Sequence, residues 1–553
     1  MARRAAAAVL IVCSTAGAVP SAHHALAALP AGLSRYEAVA PSRLADTRPS
    51  EGAFGFTRVS PSTIRVTIAG RGGVPNAATA AVLNITSVDA YGSGFVTIFP
   101  TGTARPNASS LNADAPGRVI ANMVTVKLGG GSVDIFMNTP MHLVVDVSGA
   151  YLPVSSEVAA GRLETIPTGA RRATDTRTRG YPMAPGTMLN VDLTATGVPT
   201  SAAAVVVNVT AVDANVGFWT VYPAGQAQPR TSSLNIDGVG QTRPGQAIVQ
   251  LSGGRRSINV FSQSGGHLVV DVAGWFTGST AAISADGLFL PSNPTRLLDT
   301  RNTTVLTPWG GTTFEFSSGS PLSSIAAAAI NITGVDQWQP GFVTAYPAGL
   351  PRPLSSHLNV ANPGQIIANH AIVAVSNRGI ALYTQNGVHL VADVAGWYLG
   401  SARAATQPPP TNPAYRPNRA TSVSIPAIGQ WLPIETGPSL DAIADRGHAA
   451  AWGDAINVAA QENVMLFAHR TTHGGPFRNI DQLPVGSIFT LTGSDGHNYN
   501  YQVVRTDIVA PSYNVINKIG LDTGPITAQL VACHPPGKVS YRIVVTGRLV
   551  SIT

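Results

Sequence analysis

Three stretches set the first limit on the fold: HLVVDVSGAYLP from His142, HLVVDVAGWFTG from His267 and HLVADVAGWYLG from His389. Around each lies the same series of signatures. D-T-R opens at Asp46, Asp175 and Asp299, and N-[IV]-T at Asn84, Asn208 and Asn331. The runs GFVTIFP, GFWTVYP and GFVTAYP open at Gly94, Gly217 and Gly341. The tetrads SSLN, SSLN and SHLN close at Asn112, Asn235 and Asn359. Subtracting these positions gives a period of 122 to 129 residues. That is far longer than a solenoid repeat, so each copy is expected to be a domain with its own core. The extents are residues 33–153, 160–278 and 285–400.

Within a copy, apolar runs of four to eight residues recur between Gly, Pro, Asn and Asp, and no convincing amphipathic helix interrupts them. AAVLNITSV, NMVTVKL and VDIFM are examples. This pattern predicts an all-β chain, with three tandem antiparallel sandwich- or barrel-like repeats. The N-x-T triplets fit a glycosylation acceptor, but each sits in an apolar run and reads as strand. On one strand His267 and Asp271 would lie about 13 Å apart, too far to act as a dyad. The recurring Asp and Arg of D-T-R are candidates to meet them across strands, either as buried partners fixing turns or as a carbohydrate or wall-polymer site. The repeats resemble modules of exported actinobacterial proteins that carry RLLDTR, GFLTVYP and HLVADVxGWF signatures, a resemblance that implies location rather than activity.

Residues 1–27 have the anatomy of a secretory signal: Arg3 and Arg4, an apolar run from Ala5 to Val19, then Ala25-x-Ala27. Left uncleaved, the segment would act as an anchor. Lysine occurs only at 127, 518 and 538, and no basic block or basic face with interleaved aromatics appears. Nucleic acid is therefore not an expected partner. Residues 401–422 are Pro-rich and read as an extended linker. None of the repeat signatures appears in residues 423–553.

This last segment holds Cys533, one of two cysteines. The other, Cys13, lies in the signal segment, so processing would leave a lone thiol. A thiolate nucleophile needs a base or a cation nearby. His469, after the VMLFA run, and Arg542, across the PPGK turn, are the candidates, and a strand–turn–strand would set Cys533 beside Arg542. His448, His473, His497 and His534 read as surface or structural residues. No spaced Cys/His ligand set suggests a metal.

The segment resembles the sortases, cysteine transpeptidases of Gram-positive surfaces, and within them the class E group. The resemblance rests on Ile425-Pro426-Ala427-Ile428, Ala468-His469-Arg470-Thr471-Thr472, the run Gly474 to Leu483, and Ala532-Cys533-His534-Pro535. It implies a sortase-like, eight-stranded β-barrel. It assigns Cys533 as nucleophile on an LPxTG- or LAxTG-like sorting signal, His469 as general acid and base, and Arg542 as oxyanion or backbone support. Ala532 and Thr471 are the expected substrate contacts. The implied acceptor is an amine on a wall precursor or pilin, with no cofactor and no metal. The family usually has Gly and Thr where Ala468 and Ala532 stand. An alternative is therefore a wall-binding or adhesive surface protein with a degenerate sortase domain. A Cys-His wall endopeptidase fits less well, because such enzymes place Cys before His in sequence.

Overall fold

A computed structural model describes residues 29–553 apart from 167–168, 302–310, 336–339, 362–363, 411–418, 438, 452–457, 459–462 and 524–525. The signal segment with Cys13, and part of the linker, lie outside the described residues. The chain is nearly all β. Among the described residues no helix is long and apolar enough to cross a membrane.

Each copy folds as two facing antiparallel sheets. In the first, Ser34–Asp46, His142–Pro153, Ala80–Val88 and Ile120–Lys127 form one sheet. Thr57–Ser60, Thr63–Thr67, Ser132–Met137, Gly94–Pro100 and Leu111–Ala113 form the other. Alternate residues of both sheets fill a core of Val, Ile, Leu and Ala side chains between them. The second and third copies repeat this plan with cores of their own.

The copies also share a fourth core. The long strands that carry the HLVVD motif are apolar on both faces, as buried strands must be. Their second faces turn inward and meet. Tyr36 stacks on Phe276 with ring centroids 4.1 Å apart, and Tyr151 lies 4.4 Å from Phe289. The Tyr151 and Tyr398 hydroxyls are hydrogen-bonded at 2.5 Å. All three copies contribute to this cluster. The first and third copies are joined further by the pairing of Ser34 with Phe289, which fuses their inner sheets into one of eight strands.

A ring of amide hydrogen bonds closes around this core. The side chain of Asn84 donates to the carbonyl of Ser232, Asn208 to that of Ser356, and Asn331 to that of Ser109, at 2.6 to 2.8 Å. Copy one thus reaches copy two, two reaches three, and three returns to one. These are the asparagines of the N-x-T triplets, and all three lie within strands. The buried side chain of Asn122 also bonds Asn331 and the backbone of His370, and His370 Nδ1 meets Gln246 Oε1 at 2.9 Å.

The D-T-R motif works differently from the expected cross-strand pairing. Each Asp binds its own motif's Arg: Asp46 with Arg48, Asp175 with Arg177 and Asp299 with Arg301, each at 2.6 Å. Hydrogen bonds from Arg177 hold the Asp175 carboxyl down at about 2. An arginine three residues upstream bridges each motif's Asp to the Asp of HLVVD across the strands, giving Arg43–Asp146, Arg172–Asp271 and Arg296–Asp393. The motif's Thr meets the recurring His, as in Thr176 with His267 Nδ1 at 3.2 Å, and accepts the next backbone N–H. These groups satisfy one another at a strand end, which is a turn-fixing arrangement.

The last segment is a closed barrel: β1 (Ala420–Ile425), β2 (Gln430–Glu435), β3 (Ala449–Ala451), β4 (Asn463–Phe467), β5 (Ile488–Gly493), β6 (Asn498–Val509), β7 (Thr527–His534) and β8 (Tyr541–Ile552). Its order is β1-β2-β3-β4-β7-β8-β6-β5. Helix α1 (Leu440–Ala444) follows β2, and α2 (Tyr513–Thr523) follows β6. Helix α2 packs outside the wall through Ile516 onto Met465, Val531 and Val544. It approaches closely because Gly520 has no side chain; a Cβ there would sit 2.2 Å from the Asn463 side chain.

The shared core makes two predictions. Tyr398→Ala should cost about 3–5 kcal/mol, and hydrogen exchange should show the loss in all three copies rather than the third alone. Burial also lowers His370 to about 3 and His357 to about 4, from an ordinary 6.5. Both are therefore neutral in the folded state, and the stability this represents is full above 6.5 and is lost as pH falls toward those values. Thermal melts between pH 6.5 and 5, where ordinary carboxylates stay ionised, should fall in the native chain by about 1.4 kcal/mol per histidine per pH unit. His370→Gln, which places at 370 the residue type found at Gln246, should flatten part of that slope.

Candidate active site

The barrel brings three distant residues to one hollow. Strands β7 and β8 pair antiparallel, with Cys533 directly opposite Arg542 and Val531 opposite Val544. Strand β4 runs parallel to β7, with Phe467 level with Val531. His469 lies two residues past Phe467, beyond the end of β4, and the Ala468 amide still reaches the Val531 carbonyl at 3.4 Å. Side chains alternate across a strand, so parity fixes which face each residue takes. Leu466, Ala468, Leu530 and Ala532 fill the barrel core. Met465, Val531 and Val544 lie outside under α2, and Cys533 and Arg542 share that outer parity. Cys533 and Arg542 thus share the outer face of neighbouring strands about 5 Å apart, and His469 follows directly on β4, which pairs with the other edge of β7.

There they border a hollow of about 490 Å³ between α1, the start of α2 and the β7–β8 turn. His469, Thr471, Cys533 and Arg542 all line it. Cys533 is half-buried and free, the one cysteine among the described residues. The Arg542 guanidinium donates to the carbonyls of Val539 and Tyr541, both at 3.0 Å, and so caps the turn. Ala532 borders the hollow as well, but its methyl group is in the barrel core, 3% exposed. Ala468 is likewise a core residue. A larger hollow of about 640 Å³ lies between the second and third copies, beside Arg172 and Asp271, and no thiol lines it.

Three further residues complete the site; none was assigned a part in it from sequence, and His473 was expected to be a surface or structural residue. Arg470, next to His469, is 3% exposed. It donates to His534 Nδ1 at 2.8 Å, reaches the Cys533 carbonyl at 3.5 Å, and pairs with Asp481 at 2.6 Å. It therefore clamps the end of β7 that carries the thiol. Asp445, in the turn after α1, accepts from His469 Nε2 at 2.8 Å. His473 Nδ1 lies 3.3 Å from the same carboxylate, and its ring stacks on His469 with centroids 4.9 Å apart. The spacing H-R-T-T-H was a signal for His473; Asp445 had none. His448 pairs with Glu435 and His497 with Asp495, away from the hollow.

Residues 423–550 match the family model described as the sortase domain. The C-terminal barrel is a sortase domain. Sortase SrtE1 of Streptomyces coelicolor is 29% identical over 140 residues, which is 23% of this chain and 39% of that protein. The match thus spans well under half of that relative's length. Among solved structures, sortase E1 from Streptomyces coelicolor with a tripeptide in its active site is 24% identical. It covers 25% of this chain and 93% of its own, with a TM-score of 0.22. Sortase C of Streptococcus pneumoniae is 28% identical and covers 24% of this chain and 68% of its own, also with a TM-score of 0.22.

The sortase domain should depend on Arg470 for its fold as well as its thiol. Arg470→Met should lose about 2–4 kcal/mol, because buried hydrogen bonds and an ion pair go with it. Denaturant unfolding of the chain, followed through the barrel transition, measures that loss.

Proposed function

We propose that the chain is a class E-like, cell-surface cysteine transpeptidase. It cleaves an LPxTG- or LAxTG-like sorting signal and passes the acyl group to an amine on a wall precursor or pilin. The observation that carries this reading is that Cys533 and Arg542 face each other on β7 and β8 and that His469, just past the end of β4, lines the same hollow.

The chemistry follows from that placement. The Cys533 thiolate attacks the carbonyl carbon of the signal's Thr, and Arg542 stabilises the negative charge that develops on its oxygen. As the peptide bond breaks, His469 gives a proton to the departing amine, and a thioacyl-enzyme remains. His469 then takes a proton from the incoming amine, which attacks the thioester and releases the thiolate. Asp445 steadies His469 through its hydrogen bond, as a positioning residue. Thr471 lines the hollow as a contact for the signal peptide, and Ala532 shapes its floor through the backbone. The reaction requires no cofactor. The three-copy body holds the enzyme at the cell surface, and its inter-copy hollow is the place for a wall polymer. The core positions of Ala468 and Ala532 weigh against a degenerate domain, since neither side chain is a group withdrawn from the outer face.

Quenched LPxTG and LAxTG peptides, given to the purified chain with an amine acceptor, should yield peptide joined to the acceptor. Cys533→Ala should abolish the product. Arg542→Ala should lower kcat/KM by about 10²–10³, the usual loss for an oxyanion donor. Product formation that survived Cys533→Ala would overturn the reading.

A further inference from the structure

The His469 ring does not stand alone with its acceptor. His469 Nε2, His473 Nδ1 and one oxygen of Asp445 all lie within 4.8 Å of one another. Two imidazoles and a carboxylate form the donor set preferred by borderline divalent cations, whereas Mg²⁺ and Ca²⁺ favour oxygen alone. Bonds of about 2.0–2.2 Å to each donor require the three to converge only slightly.

Local structure favours that convergence. His473 takes φ of +49°, a left-handed conformation uncommon for a residue with a side chain. That turn folds the chain back four residues after His469 and lays one ring over the other at an interplanar angle of 30°. Asp445 arrives from the opposite side, on the turn that ends α1, where the Asp445 amide is bonded back to Asp441 and Ile443. His473 and Asp445 are about half exposed, so a cation can enter from solvent and keep water in its remaining position.

We propose that Asp445, His469 and His473 bind one divalent cation of the zinc, cobalt or nickel class, and that this cation reversibly silences the enzyme. The silencing clause rests on the role assigned to His469 above; the binding clause does not. On binding, the cation takes the Nε2 lone pair of His469: in the neutral ring the proton that Nε2 shared with Asp445 passes by way of solvent to Nδ1, and in the imidazolium one proton is released. With Nε2 metallated, Nδ1 keeps its single proton and the ring cannot become the imidazolium that protonates the departing amine, so it no longer alternates between acid and base. No bond is made to Cys533, and removing the cation restores the ring.

The test separates the two clauses. Co²⁺ is added to the full chain carrying Cys533→Ala, which keeps the thiol out of the spectrum, and binding is read from visible d–d absorption and by competition with Zn²⁺. One Co²⁺ per chain is expected, weakened by at least about tenfold in His473→Ala and in Asp445→Asn and unchanged in His497→Ala. In the chain with Cys533 intact, Zn²⁺ should inhibit peptide turnover and a chelator should restore it. Inhibition of His473→Ala, relative to its own metal-free rate, should need at least about tenfold more Zn²⁺. Stoichiometric binding that neither variant weakens would overturn the assignment of the site, as would no stoichiometric binding at all. Binding at these residues without inhibition of an active enzyme would overturn the silencing alone.

Discussion

No single copy of the repeat can bury both faces of its own longest strands. Each copy folds two sheets against each other and satisfies one face of each, but the inner sheet keeps a second apolar face. Tyr36, Tyr151, Phe276, Phe289 and Tyr398 stand on those second faces. Exposing them to water would cost more than any one copy's polar bonds return. Only three inner sheets closing on one another remove them from solvent together. The part-buried amide ring, the hydroxyl pair of Tyr151 and Tyr398 and the neutral His370 all follow from that closure. Each is a polar group drawn into the interior that must find its partner on another copy.

Much of this was legible and some was not. The repeat period and the β character could be read directly, because the signatures recur in one order and the apolar runs have strand length. The shared core was hidden by the assumption that a long period means self-contained domains. Its trace was present in HLVVDVAGWF, which is apolar on both alternating faces as a doubly buried strand should be. The D-T-R motif drew attention as a group, but its partners were misassigned. The local Asp–Arg pair spans two residues, whereas the cross-strand pair of Asp271 is made by Arg172, three residues before Asp175, which bonds both carboxylates.

At the thiol, the facing of Cys533 and Arg542 is hairpin geometry and could be expected from the turn between them. His469 could not be placed that way. It reaches the site through the parallel pairing of β4 with β7, which joins segments more than sixty residues apart, so the need of a thiolate for a base made it a candidate but only the likeness to sortases assigned it a role. Arg470 was quoted within that likeness yet had no assigned task, because its partners His534 and Asp481 meet it only in the folded barrel. Asp445 depends on where a short helix happens to end. Single-residue dependence on a distant turn leaves no periodicity to detect.

The head-to-tail ring of asparagine bonds also fixes how many copies the body can hold. In a stacked array each unit offers a free face to the next, and units can be gained or lost by duplication. Here Asn331 returns to Ser109 of the first copy, so the last copy's bond is already spent on the first. A fourth copy would have no face to join, and two would leave the aromatic centre open. The interface is heterologous but closed, the arrangement that a three-fold symmetric trimer uses between separate subunits. Carrying the three copies on one chain holds them at equal number and in a fixed order, which assembly from free subunits would not guarantee.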